Sequence, residues 1–106
     1  MAYTYQVEFE ISHQQMEELR IGAALEKVLG YLRTLLPNEQ GYISTRAMYT
    51  LDIPGVTRLT VQSTWDQWED LLAHKESGLA EQKVLNEFQP HVSLKNLAVH
   101  TLEEVP

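Results

Sequence analysis

Apolar and polar residues alternate strictly near the N-terminus, which predicts a β-strand with two unlike faces. The apolar positions of this strand are Tyr3, Tyr5, Val7, Phe9 and Ile11. Two further runs, about 42–51 and 56–63, flank a segment that contains Pro54 and Gly55, and this arrangement predicts a hairpin. A last strand is predicted over about 92–102. The sequence thus predicts four strands.

Helical spacing appears between the strands. Apolar residues recur at steps of three and four between residues 16 and 36, which predicts one long helix. A second helix is predicted to start near Asp66, because Asp66 and Glu69 have the spacing of a capping box, and to break at Gly78 before a further helical piece. The order β-α-β-β-α-β predicts an α+β ferredoxin-like sandwich, a single domain over 1–106 with both helices on one face of an antiparallel sheet.

The alternation of apolar and polar residues along each strand predicts which side of the sheet the helices cover. The apolar side is expected to contain Tyr3, Tyr5, Val7, Phe9, Ile11, Ile43, Ala47, Tyr49, Leu59 and Val61. On the other side, Arg58 is expected to pair with Glu8 or Glu10, because the third strand lies beside the first in this fold. The last strand is apolar on both sides, which indicates burial by a partner subunit.

The composition and net charge exclude several classes of binding partner. Fifteen acidic and eight basic residues give a net charge of −7, so neither nucleic acid nor an anionic membrane surface is an expected partner. There is no cysteine, and the four histidines lack metal-ligand spacing, so we expect no metal site. The N-terminus lacks the basic start and apolar run of a signal peptide, and no stretch approaches the roughly 20 apolar residues of a bilayer span. A cytoplasmic location is expected.

The segment from Arg58 to Ser77 holds the best candidates for chemistry. Trp65 is expected to point toward the helix layer, where it either stacks on a flat ligand or closes the core. Trp68 has the same two interpretations. His74 lies three residues after Leu71 and so borders the apolar stripe of the second helix. It is a candidate base near neutral pH, or else a boundary histidine that caps the helix end or binds solvent. His100, on the last strand, is a second candidate whose face the sequence does not assign.

Three aromatic residues of the sheet complete the candidate site. Tyr5, Phe9 and Tyr49 are expected on the helix-facing side, where they either line an aromatic cavity or pack as ordinary core residues. A cavity on the order of several hundred Å³ with His74 at its wall would favour an enzyme, and a closed one would favour a protein without catalytic function.

The run Thr64-Trp65-Asp66, followed by Trp68-Glu69 and Ala73-His74-Lys75-Glu76-Ser77, resembles the pattern of the antibiotic-biosynthesis-monooxygenase-like proteins. The resemblance implies a homodimer in which two sheets pack face to face into an α+β barrel, with a small cavity between sheet and helices in each subunit. It also implies a cofactor-independent monooxygenase that acts on a small aromatic or quinone-like compound. His74 would then be the catalytic residue, and the ring would be held by Trp65, Tyr5, Tyr49, Phe9 and Trp68.

Two alternatives stay open within the same resemblance. One is a non-catalytic dimeric binding or structural protein, whose cavity is packed shut or holds a small hydrophobic ligand. The other is an isomerase or lyase of the same fold. Haem-degrading relatives carry an asparagine on strand one, where this chain has Gln6, and a histidine in the stretch that here is Gly78-Leu79-Ala80-Glu81. These departures argue against haem chemistry.

Overall fold

The computed structural model describes residues 2–79, 81–89 and 95–105. The helices and strands are β1 Tyr3–Ser12, α1 His13–Met16, α2 Leu19–Thr34, β2 Tyr42–Tyr49, β3 Val56–Trp65, α3 Trp68–Ser77, α4 Asn86–Phe88 and β4 Lys95–Glu103. A 3₁₀ turn, Leu36–Asn38, follows α2, and a π-helical turn, Glu81–Leu85, leads into α4. The strands form one antiparallel sheet in the order β2-β3-β1-β4. The predicted ferredoxin-like α+β fold is confirmed.

The first helical region differs from the prediction because it is divided. The Ser12 hydroxyl accepts from the backbone N–H of Gln15 at 3.2 Å and so caps the short α1, and the main helix begins separately at Leu19. The helix α1 ends at Met16, and the Glu18 N–H still donates to the Gln15 carbonyl at 3.1 Å before Glu18 becomes the N-cap of α2. The first three positions of the predicted last strand, 92–94, lie outside the described residues.

The predicted capping box at the second helix is wrong. The Asp66 N–H donates to the Gly41 carbonyl at 2.9 Å, so Asp66 still belongs to the end of the sheet. The helix α3 begins at Trp68 instead, with Gln67 as its N-cap and no side-chain cap hydrogen bond. Gly78 ends α3 in the left-handed conformation at φ 70°, which confirms the predicted break.

The core lies between the helices and the central strands β1 and β3. Phe9 of β1 is 1% exposed and packs against Phe88 of α4, with ring centroids 5.4 Å apart. Ile11, Leu59 and Leu71 are buried in the same layer. Burial of each such side chain contributes roughly 1.5–3 kcal/mol, so this layer is the main source of stability.

The edge strand β2 is not covered as predicted. Ala47 and Tyr49 pair with Val61 and Leu59 and therefore face the helix side, yet both are exposed, Tyr49 to 64%. The register of β2 shifts between Tyr42 and Ser44, so Ile43 falls out of the alternation and is 51% exposed. An irregularity of this kind moves side chains out of the face that strict alternation assigns to them.

The face of the sheet opposite the helices is polar. The Arg58 Nη2 lies 3.4 Å from the Glu10 Oε2, and Asn96 also donates to Glu10, which is only 6% exposed. The prediction that Arg58 pairs with Glu8 or Glu10 is therefore confirmed for Glu10. His100 pairs with Gln6 in the ladder, which assigns it to this open face and away from the helices.

Candidate functional site

A cluster of buried polar and aromatic side chains lies where β3 ends and α3 begins. Alternation along β3 turns both Ser63 and Trp65 toward the helix layer, where they are 4% and 0% exposed. The Trp65 indole Nε1 donates to the Ser63 Oγ at 2.9 Å, which satisfies its polar atom. The ring of Tyr42 meets the indole edge-on, with centroids 6.0 Å apart. Trp65 is therefore held rigidly.

His74 packs directly on this tryptophan. It lies three residues after Leu71, on the same face of α3, and is 3% exposed. Its ring stacks on the Trp65 indole, with centroids 4.6 Å apart and planes at 28°, and Tyr5 meets it edge-on at 5.5 Å. His74 does lie in the last turn of α3, but the alternative that it binds solvent is wrong because it is buried.

The imidazole also contacts a carboxylate. The His74 Nδ1 lies 3.0 Å from the Oε1 of Glu39, a residue of the loop between the 3₁₀ turn and β2. A carboxylate only accepts hydrogen bonds, so this contact assigns the proton to Nδ1 and leaves Nε2 as the basic nitrogen of the neutral ring. Glu39 thus fixes both the orientation and the tautomer that a general base requires.

A small cavity adjoins the histidine. Its volume is about 20 Å³, which is room for about one water molecule. The lining residues are Tyr5, Val7, Tyr31, Leu32, Leu36, Val61, Ser63, His74 and Val84. In its present shape the cavity is far below the roughly 300 Å³ at which small-molecule pockets begin.

Two buried polar atoms near this cavity lack a hydrogen-bond partner among the described residues, the Tyr31 hydroxyl and the Glu39 Oε2. Burial raises the pKa of the Tyr31 phenol well above its usual range, and the Glu39 carboxylate and Tyr5 raise this pKa further. The Tyr31 hydroxyl therefore stays protonated and remains a hydrogen-bond donor at any physiological pH.

The structure brings together three of the residues predicted for the site, namely His74, Trp65 and Tyr5. Trp65 is fully buried, and His74 covers one face of its indole while Tyr42 meets it edge-on. A ligand that stacked on this indole would have to displace one of these rings.

The other three predicted residues lie elsewhere. Phe9 is in the core against Phe88 and does not line the cavity. Tyr49 lies on the uncovered strand β2. Trp68 is 42% exposed and meets Tyr3 edge-on at 5.8 Å, so core packing does not describe it. Parity along a strand assigns a face, but it does not assign a position along that face.

Sequence analysis did not single out Glu39, Tyr31 or Ser63. Glu39 lies in a loop, and its contact with His74 joins positions 35 residues apart. Tyr31 looks like one more apolar position of α2, and Ser63 like an ordinary strand residue. No local pattern signals these contacts, because only the packing of α2 and α3 on the sheet creates them.

Neither a metal-binding cluster nor a membrane-spanning helix is present in the described part of the chain. No group of three or more histidine, aspartate or glutamate side chains within residues 2–79, 81–89 and 95–105 could hold a metal ion. No helix in those ranges is both long and apolar enough to cross a membrane.

Comparisons with solved structures agree with this architecture. A protein of Deinococcus radiodurans named as a candidate antibiotic biosynthesis monooxygenase has a TM-score of 0.63 at 18% identity, over 100% of this chain and 94% of the other. SnoaB, a cofactor-independent oxygenase of Streptomyces nogalater, has 0.58 at 13% identity, over 97% and 92%. A monooxygenase of Streptomyces coelicolor in complex with nanaomycin D has 0.66 at 11% identity, over 99% and 88%.

No protein-family profile matches the chain, and no curated protein matches it. The structural neighbours nevertheless confirm the resemblance noted around Trp65 at the level of the fold. The chain has the fold of the antibiotic-biosynthesis-monooxygenase-like proteins. Because one fold hosts many activities, this likeness assigns no residue roles.

Proposed function

We propose that this protein is a monooxygenase that oxidises a small phenolic or quinone-like compound without a cofactor, with His74 as the base. The single observation that carries the proposal is the contact of buried His74 with half-buried Glu39, with the Nδ1 to Oε1 distance at 3.0 Å. A buried histidine whose tautomer is fixed by a carboxylate is typical of a general base. The activities named for two structural neighbours support the reaction class.

The proposed reaction requires few catalytic groups from the protein. The His74 Nε2 would take a proton from the substrate, and the electron-rich anion would then react with O₂. When a CH₂ group beside the phenol ring becomes a carbonyl, one oxygen atom enters the product and the other leaves as water with the two hydrogens of that group. The substrate supplies all the electrons, so the protein contributes binding, orientation and the base.

The cavity volume favours a second candidate, a dimeric binding or structural protein without catalysis. At about 20 Å³ the space beside His74 does not admit an aromatic ring. Under this second function, the stack of Trp65 and His74 would serve packing alone. The first function requires that a lining side chain, such as Val84 of the π-helical turn, moves to admit the substrate.

Oxygen uptake with one-, two- and three-ring phenols and hydroquinones separates the two candidates. The enzyme should consume oxygen with at least one of them, and His74→Phe should lower the rate roughly a hundredfold or more while keeping the stack on Trp65. Glu39→Gln should lower it less. His100→Gln, on the open face, is the matched control and should leave the rate unchanged. If the wild type consumes no oxygen with any compound, the enzyme proposal fails.

We also propose a homodimer formed through the open face of the sheet. Support comes from β4, where the apolar side chain of Leu102 lies on the open face and is 45% exposed. Sedimentation velocity at micromolar concentration should show a dimer, and Leu102→Glu should dissociate it because it would bury a charge without a partner. A wild-type monomer would refute this proposal.

A further inference from the structure

The helix layer leaves the inner side of β2 open, so a groove runs between α2 and β2. It consists of two adjoining hollows of about 430 and 440 Å³, which share Leu29 and Ala47 as lining residues. Each hollow falls within the size range of roughly 300–1,000 Å³ that small-molecule sites occupy. The groove is thus much larger than the cavity beside His74, and it extends over the edge strand β2, which does not line that cavity.

The groove is mostly apolar in the hollow beside Met16 and Met48, and about equally polar and apolar in the hollow beside Arg33. Leu25, Leu29 and Leu32 of α2 form one wall, and Ala47, Tyr49 and Leu59 form the floor. Met16 and Met48 lie at one end, where their flexible side chains can adapt to the shape of a ligand. An alkyl chain would bury its surface here, at roughly 25 cal/mol per Å².

Charge distinguishes this groove from the rest of the surface. Neither hollow is lined by an aspartate or glutamate, although the chain has 15 acidic residues and a net charge of −7. The only cation among the lining residues is Arg33, in the last turn of α2. Arg33 has no ion-pair partner within the described ranges of the chain. Its guanidinium is therefore available to a ligand.

We propose that the groove binds a medium-chain alkyl carboxylate, with the alkyl chain along α2 and the carboxylate on Arg33. The nine residues from Leu25 to Arg33 span about 12 Å along the helix axis, which suits such a chain. An arginine can hold a carboxylate through two parallel hydrogen bonds. This site is separate from the one beside His74, and the proposal does not depend on catalysis.

Isothermal titration calorimetry of the full chain with octanoate tests the proposal. Octanoate should bind, and Arg33→Gln should weaken its binding about tenfold, which corresponds to about 1.4 kcal/mol. Octanol, which lacks the charge, should bind equally to the wild type and to Arg33→Gln. The matched control is Arg46→Gln, also exposed but absent from the lining, and it should leave octanoate binding unchanged. Ala47→Phe should fill the groove and abolish binding of both compounds.

Several outcomes would overturn the proposal. They are no octanoate binding at millimolar concentration, equal weakening by Arg33→Gln and Arg46→Gln, or octanoate binding that survives Ala47→Phe. A change of oligomeric state in Ala47→Phe without octanoate binding to the wild type would assign the groove to a second copy of the chain, and it would equally overturn the proposal. Because the readout is equilibrium binding, a failure here is distinct from a failure of the oxygen-uptake assay.

Discussion

Replacement of Tyr31 by phenylalanine isolates one unpaired hydroxyl in the core. Tyr31 is 5% exposed, and its hydroxyl has no hydrogen-bond partner among the described residues. The substitution removes this oxygen and leaves the ring in place against the cavity. Any effect on the free energy of unfolding therefore reports the hydroxyl alone.

Two contributions set the expected difference in the free energy of unfolding between Tyr31→Phe and the wild type. A buried polar group without a partner costs about 1–3 kcal/mol, so the variant should be about 1 kcal/mol more stable at pH 7. The second contribution depends on pH. Burial raises the pKa of the Tyr31 phenol in the folded state, so above about pH 10 the unfolded chain loses a proton that the folded chain keeps. The free energy of unfolding of the wild type should then fall by about 1.4 kcal/mol per pH unit relative to that of the variant.

Urea denaturation at pH 7, 9, 10 and 11 measures both contributions. The stability difference between Tyr31→Phe and the wild type should be constant up to about pH 9 and should widen above about pH 10. Tyr49→Phe, at a 64% exposed position, is the matched control and should change stability by less than about 0.5 kcal/mol at pH 7. A variant less stable than the wild type at pH 7 would show that the hydroxyl has a partner, and parallel curves above pH 10 would refute the role of burial.

Two further predictions concern backbone strain and the open face of the sheet. Gly41→Ala should destabilise the fold by at least about 1–2 kcal/mol, because Gly41 has φ 80° and a Cβ there would collide with the Asp70 carboxylate. Gly22 lies in a helix with open space around it, so Gly22→Ala should instead raise the free energy of unfolding by about 0.5–1 kcal/mol. Equal effects in thermal denaturation would contradict this contrast. Arg58→Gln should lower the free energy of unfolding by about 1 kcal/mol, a modest loss because the Arg58 side chain is 44% exposed. Arg46→Gln is the control and should not change it. Urea denaturation of the two variants measures the difference.

The outcome at the candidate site separates what a local pattern can predict from what it cannot. The alternation of β3 predicted correctly that Trp65 points toward the helices, and the spacing on α3 put His74 at the edge of an apolar stripe. Glu39 was not predicted, because the loop after the 3₁₀ turn reaches His74 only when α2 and α3 pack on the same sheet. Tyr49 was expected in the site, but it is 64% exposed because the described helices do not cover it on the edge strand β2.

By itself, the sequence determined the order of the elements and the ferredoxin-like fold, and it restricted the partner of Arg58 to Glu8 or Glu10. These features follow from periods of two and of three to four residues, which express backbone geometry and are visible within a short window. Only the tertiary structure decided that His74 is buried on Trp65 beside a carboxylate, that the cavity there is nearly closed and that a groove lies open over β2. Those features depend on how far each helix extends over the sheet, and packing between distant segments sets that extent.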